Sequence, residues 1–127
     1  MNYLVLDWET SNYNFGSAFD PRNFPVALVA LKVEGESRTL LSYHYLDESV
    51  SNCTLLEITS LIEETHGRTD IQVVGHNLRF DLHWNNRVSI KYGDKLFDTM
   101  FLPYLELCGQ HTQKDTSARC PQPYRCR

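Results

Sequence analysis

The sequence lacks the features of a membrane protein and of a protein that binds nucleic acid through bulk positive charge. Its 127 residues contain no run of 18 apolar residues, so we expect no membrane span and no membrane partner. The first residues lack the basic start and the small-residue cleavage site of a secretory signal, which predicts a cytoplasmic protein. The net charge of −4 excludes nucleic-acid binding by overall positive charge.

The C-terminal segment has too few apolar residues to form a core. Residues 109–127 contain no Leu, Ile, Val, Met or Phe, so they cannot supply an apolar face. Their charged residues are Lys114, Asp115, Arg119, Arg125 and Arg127. We therefore expect one folded domain over residues 1–107. Residues 108–127 are expected to be a divergent tail, disordered or frame-shifted.

The pattern of apolar residues predicts an α/β domain. Short β-prone runs predict strands at residues 2–7, 26–33, 38–46 and 71–74, the middle two joined as an antiparallel hairpin. Helices are predicted from Thr54, which forms a capping box with Glu57, to a stop at Gly67, at 79–87 and at 98–107, with Asp98 as the N-cap of the last. This order implies a three-layer domain with a mixed sheet, in which the first and fourth strands are parallel neighbours.

Three carboxylates are expected to meet at one edge of this sheet. Asp7 and Glu9 end the first strand, and side chains two apart in a strand point to the same side. Asp81 lies one turn into the helix after the fourth strand. Because the two strands are expected to be neighbours, Asp81 should face the Asp7/Glu9 pair.

Crowded carboxylates repel one another unless cations neutralise them. All-oxygen ligands suit Mg²⁺ or Mn²⁺, and two such ions can activate water for phosphodiester cleavage. A simpler alternative explains each residue separately. Asp7 and Glu9 would be a solvated strand end, Asp81 would interact with the helix dipole, and Asn77 would be a cap or turn residue.

Three motifs in this order resemble those of the DEDD-type 3′–5′ exonucleases of the ribonuclease H-like fold. They are the Asp-x-Glu-Thr strand end at 4–10, the Asn-x-x-x-Asp segment at 75–82, and the Phe-Asp-Thr-Met segment at 96–105. The third is similar to the proofreading domains of family A DNA polymerases. The loop at 19–23 resembles phage-type versions, which would place the protein in the host cytoplasm.

The resemblance implies a role for each matching residue. Asp7 would bridge two divalent metals, Glu9 would bind the metal that activates water, and Asp81 would hold the second metal.

The resemblance also implies a substrate and a partner. Thr10 would contact the 3′-terminal nucleotide, and Asn77 and Phe80 would shape the site around it. The substrate would be the 3′ end of single-stranded DNA, and a polymerase domain would accompany this one in a full-length protein. Asp98 is expected to be a structural cap or a supporting group rather than a metal ligand.

The family's third catalytic motif, a Tyr or His followed by a fourth Asp, has no match at the expected place. Tyr43 to Asp47 has the spacing but lies between the first two motifs, and His111 to Asp115 comes too early. We therefore expect a truncated or frame-shifted domain with little or no activity. An intact, expressed 127-residue frame at the source locus would contradict this.

Other functions fit parts of the sequence. One is a catalytically dead fragment that binds nucleic acid or a protein partner and has a zinc-binding tail, whose ligands would be Cys108, His111, Cys120 and Cys126. A haloacid dehalogenase-like phosphatase would need Asp at the position of Glu9. A ribonuclease of the same superfamily would keep the fold but change the substrate. Trp8 and Trp84 are expected to be core residues.

Overall fold

One mixed sheet of five strands organises the chain. The computed structural model describes residues 1–100. Its strands are β1 (Tyr3–Thr10), β2 (Pro25–Glu34), β3 (Ser37–His44), β4 (Gln72–Gly75) and β5 (Leu96–Asp98), and its α-helices are α1 (Leu55–Glu63) and α2 (Leu78–Arg87). Single 3₁₀ turns lie at Tyr13–Gly16 and Glu48–Val50. The four strands predicted from the sequence are all present.

Strand β1 lies at the centre of the sheet, whose order is β3-β2-β1-β4-β5. It pairs antiparallel with β2 and parallel with β4, and β2 and β3 form the predicted antiparallel hairpin. The prediction that the first and fourth strands are parallel neighbours is therefore confirmed. This pairing brings the C-terminal ends of β1 and β4 to the same edge of the sheet.

Helix α1 begins with the predicted capping box. The backbone N–H of Glu57 donates to Thr54 Oγ1 at 3.1 Å, and Thr54 N–H donates to Glu57 Oε1 at 2.8 Å. These bonds satisfy backbone donors that have no partner within the helix. The helix ends at Glu63, a full turn before the predicted stop at Gly67, and turns connect the two.

Both helices pack on one face of the sheet. Alternate residues of β1, namely Leu4, Leu6 and Trp8, are buried in a single cluster with residues of α1 and α2. Trp84 is fully buried, and its ring centroid lies 6.1 Å from that of Trp8. Both tryptophans are therefore core residues, as predicted. The sheet and this helical layer are two of the three expected layers.

The prediction of a helix starting at Asp98 is wrong at its beginning. Asp98 ends β5, which pairs parallel with β4, and Thr99 and Met100 form a turn. Residues 101–107 of that predicted helix lie outside the described part of the chain. No helix within residues 1–100 is long and apolar enough to cross a membrane.

Candidate active site

The early end of β4 leaves a gap beside β1. Strand β4 pairs with β1 only along Tyr3–Val5, whereas β1 continues to Thr10. Helix α2 fills this gap: Asp81 Oδ1 accepts a hydrogen bond of 3.0 Å from the backbone N–H of Trp8. A carboxylate from α2 therefore completes the hydrogen bonding of β1 at the point where sheet pairing stops.

Asp7 and Glu9 flank this hydrogen bond on β1. Both are exposed, and they alternate with the buried side chains of Leu6 and Trp8. The prediction that they share one side of the strand is consistent with this pattern. Partial burial raises the pKa of Glu9, and the nearby negative charge of Asp7 and a hydrogen bond with it raise it further.

Asp81 is the most perturbed acid of the site. Its side chain is almost fully buried, at 2 % exposure. Its pKa is raised to about 7, with burial as the largest cause; the N–H of Trp8 opposes the shift, and the charges of Asp7, Asp98 and Glu9 contribute to it. The three predicted metal-binding carboxylates therefore lie within electrostatic reach of one another.

A glycine lets α2 approach this edge. A Cβ atom at Gly75 would lie 2.8 Å from Leu78 Cδ1 and 3.5 Å from Asp81 Oδ2. The first distance is shorter than a packed side chain tolerates. Any larger residue at 75 would therefore require the side chain of Leu78, in the first turn of α2, to shift.

The start of α2 is capped by a residue distant in sequence. Asn77 occupies the N-cap position with φ +64°, but its side chain makes no capping hydrogen bond. Instead Asp98 accepts hydrogen bonds from the backbone N–H groups of Asn77 at 2.8 Å and Leu78 at 3.0 Å. The prediction of a structural role for Asp98 agrees with these contacts, although the helix it caps is α2.

Two of the three predicted substrate-binding residues converge on Gly16. A Cβ atom there would lie 2.9 Å from Thr10 Oγ1 and 3.3 Å from Phe80 Cε1. Thr10 and Phe80 therefore lie side by side next to the carboxylates. Asn77 is exposed at the start of the same helix that carries Phe80.

The family of the chain follows from a match along most of its length. Residues 1–115 match the model of a family described as 3′–5′ exonuclease. The chain belongs to this family. It is the family of the proofreading exonuclease domains of family A DNA polymerases, whose ribonuclease H-like α/β fold agrees with the mixed sheet and helices found here. No curated protein matches the chain.

Membership in the 3′–5′ exonuclease family implies a hydrolase that acts on nucleic acid and generally uses divalent metals. Within residues 1–100, no three His, Cys, Asp or Glu side chains form a ready-made cluster for one metal ion. The chemistry of the site nevertheless fits such an ion. Asp81 Oδ2 is buried and receives no hydrogen bond from the described residues, and carboxylate oxygens are the preferred ligands of Mg²⁺.

Two buried hydrogen bonds that brace α2 against β1 and Gly16 were not predicted from the sequence. Asn85 is fully buried and accepts a 2.7 Å hydrogen bond from Trp8 Nε1. Trp84 Nε1 donates to the carbonyl oxygen of Gly16 at 3.0 Å. The sequence signal for the contact of Asn85 was its position four residues after Asp81, which places the two side chains on the same helix face.

The Tyr43–Asp47 segment, whose spacing matches the third motif, makes local contacts away from the carboxylates. Tyr43 Oη donates to Glu48 Oε2 at 2.6 Å, and Asp47 Oδ1 accepts from the N–H and hydroxyl of Ser49. Strand β3, which carries Tyr43, is separated from β1 by β2. The His111–Asp115 pair and the predicted zinc ligands lie outside the described residues.

Proposed function

We propose that this chain hydrolyses DNA from its 3′ end, using two divalent cations, Mg²⁺ or Mn²⁺, held by Asp7, Glu9 and Asp81. The observation that carries the proposal is the environment of Asp81. It is a carboxylate anchored to β1 by the N–H of Trp8, and its pKa is raised by burial and, to a smaller extent, by its acidic neighbours. A buried acid with a strongly raised pKa is typical of a functional site.

The role of each carboxylate follows from its position. Asp81 Oδ1 is occupied by Trp8, so Oδ2 is the oxygen available to a cation. Asp7 and Glu9 are exposed at the gap, and rotation of their side chains toward Asp81 would complete the ligand set. The bound cations would activate the attacking water and stabilise the leaving oxygen. Asp81 must lose its proton to bind a cation, which the positive charge favours.

Thr10 and Phe80 are the residues best placed to hold the terminal nucleotide. They lie together beside Gly16, next to the carboxylates. A hydroxyl and an aromatic ring suit a sugar and a base respectively. Asn77, at the exposed start of α2, would shape the same pocket from its other end. We propose proofreading, beside a polymerase domain of the same protein, as the setting of this activity.

The test combines metal binding with digestion. Thermal unfolding of the 127-residue chain is measured with EDTA, Mg²⁺ and Mn²⁺, and 3′-labelled single-stranded DNA is then offered as substrate. We expect either cation to raise Tm and to support release of the label. Asp7→Asn and Asp81→Asn should abolish the metal-dependent increase in Tm and reduce digestion by orders of magnitude. The ligands of one metal site act as a unit, so loss of one of them removes most of the activity.

Glu36→Gln is the control, since Glu36 is exposed at the tip of the β2–β3 hairpin. It should behave like the unmodified protein. Equal digestion by the unmodified protein and Asp81→Asn would overturn the proposal.

A second function is binding of a DNA 3′ end without hydrolysis. The absence of a ready-made three-ligand cluster within residues 1–100 favours it. This function predicts that the chain binds single-stranded DNA without stabilisation by metal, while the labelled nucleotide stays attached. The digestion measurement separates the two functions directly.

A further inference from the structure

The loop formed by residues 11–24, here called the aromatic loop, exposes an unusual set of side chains. It carries every exposed aromatic residue of the described chain: Tyr13, Phe15, Phe19 and Phe24. Phe15 is 92 % exposed and Phe19 is 77 % exposed. Exposed apolar side chains scattered singly are ordinary, but a cluster of large ones marks a binding surface.

The aromatic loop is held in place by hydrogen bonds within it. Asn23 is buried and donates to the carbonyl oxygens of Tyr13 and Ser17, at 2.7 and 2.9 Å. Its own Oδ1 accepts from Ser11 Oγ and from the N–H of Tyr13. The exposed rings therefore project from a loop that hydrogen bonds hold in place. This lowers the conformational entropy lost when the rings bind a partner.

The backbone at the tip of the loop is held in an unfavourable conformation. Asn14 has φ +50° and Phe15 has φ +59°. The left-handed region is uncommon for a bulky residue such as Phe. Strain of this kind persists where the surrounding structure enforces it and often marks a functional position. Here it presents the ring of Phe15 to solvent.

The aromatic loop runs along α2 away from the carboxylates. Gly16 lies against Phe80, and the ring of Phe19 meets that of His83 edge-on at 4.8 Å. Further along, Arg87 donates to carbonyl oxygens of the loop. Because Phe80, His83 and Arg87 share one helix face, the loop is continuous with the surface formed by Thr10 and Phe80.

We propose that Phe15 and Phe19 stack on unpaired bases of the DNA strand, upstream of the terminal nucleotide. This inference rests on the proposed function, since it supplies further subsites for the same substrate. Aromatic rings bind any base through its π face, so such subsites tolerate all sequences. A chain with a net charge of −4 cannot hold DNA by bulk attraction, and stacking provides the missing affinity.

The experiment measures binding of the 127-residue chain to oligothymidylates of two and six nucleotides in EDTA. Phe15→Ala should weaken binding of the hexanucleotide about tenfold, as expected for the loss of one stacked base, and leave the dinucleotide unchanged. Phe19→Ala should act in the same direction, and Phe15→Tyr should restore binding. Leu46→Ala and Leu56→Ala remove exposed aliphatic side chains elsewhere and are the controls.

Two results would overturn the inference. One is equal hexanucleotide affinity of the unmodified protein and Phe15→Ala. The other is self-association of the unmodified protein that Phe15→Ala abolishes without changing DNA binding, since the partner would then be a second copy of the chain. Binding in EDTA does not depend on metal, so failure of digestion and failure of stacking are separate outcomes.

Discussion

Helices α1 and α2 are nearly equal in length and pack on the same face of the sheet, but they are built differently. Helix α1 is capped by its own residues, Thr54 and Glu57, and the residues it buries are Ile58, Leu61 and Ile62. The start of α1 and its buried face both agree with local preferences. Such agreement is typical of an element whose only task is to complete the core.

Helix α2 departs from these rules at three places. It begins at a left-handed Asn77 whose side chain does not cap it, its cap comes from Asp98 in β5, and it buries the polar residues Asp81 and Asn85. Each departure lies within reach of the carboxylates or of Trp8. The helix whose sequence departs more from local helix preferences is therefore the one that carries Asp81.

The largest effect is expected from the pH dependence of stability, which Asp81 imposes on the metal-free protein. Its pKa is 3.8 in the unfolded chain and about 7 in the folded one. The folded state therefore binds the proton more tightly, and the free energy of unfolding falls as pH rises from about 4 to about 7. This difference corresponds to on the order of 4 kcal/mol.

Asp81→Asn isolates this contribution, because the amide oxygen can still accept from the N–H of Trp8. The measurement is urea unfolding in EDTA between pH 4 and 8, with the variant subtracted from the unmodified protein. The subtraction removes the contributions of Asp20 and Asp70, whose pKa values are lowered by Arg22 and Arg68 and which act in the opposite direction. A flat difference between the two proteins would show that Asp81 is not buried as an acid.

The next largest effect is expected from the distant cap of α2. Asp98→Ala removes the acceptor for the N–H groups of Asn77, Leu78 and Met100. We expect a loss of about 2 kcal/mol in the free energy of unfolding, because charged caps that accept several bonds lie at the upper end of capping energies. Asp98→Asn should lose less, since one oxygen acceptor remains. Equal stability of Asp98→Ala and the unmodified protein would contradict a capping role.

The sequence predicts the parts of the fold whose causes are local. The capping box of α1 and the buried run of β1 are visible within a few residues, and both are found. The meeting of Asp7, Glu9 and Asp81 followed from the parallel pairing of two strands, a rule of topology. These parts of the site needed only the order of elements along the chain.

The parts that the sequence did not predict depend on contacts between distant segments. Asp98 looks like a helix start, but its hydrogen-bond partners lie about twenty residues earlier. Strand β5 has three residues, too few for an alternation pattern. The left-handed conformation of Phe15 has no local signal either, since bulky residues rarely adopt it.

A smaller effect is expected for the local cap of α1. Thr54→Ala removes the acceptor for the N–H of Glu57 and should lower the free energy of unfolding by about 1 kcal/mol. Digestion and hexanucleotide binding should stay unchanged at temperatures where the variant is folded, because α1 packs mainly against β2 and β3 and carries none of the proposed site residues. Loss of digestion at full folding would show that α1 also supports the site and would remove the contrast between the helices.

The smallest effect is expected for a substitution of Phe15 in the aromatic loop. It should raise stability slightly and weaken DNA binding. Phe15→Gly relieves the left-handed conformation at φ +59° and gives up almost no burial. Glycine also makes the unfolded chain more flexible, so the net gain should be roughly 0.5 kcal/mol. Hexanucleotide binding should fall as for Phe15→Ala. A variant that is both more stable and weaker in binding would show that the strain at Phe15 is kept for recognition. A variant that is less stable would mean that the ring of Phe15 supports the fold.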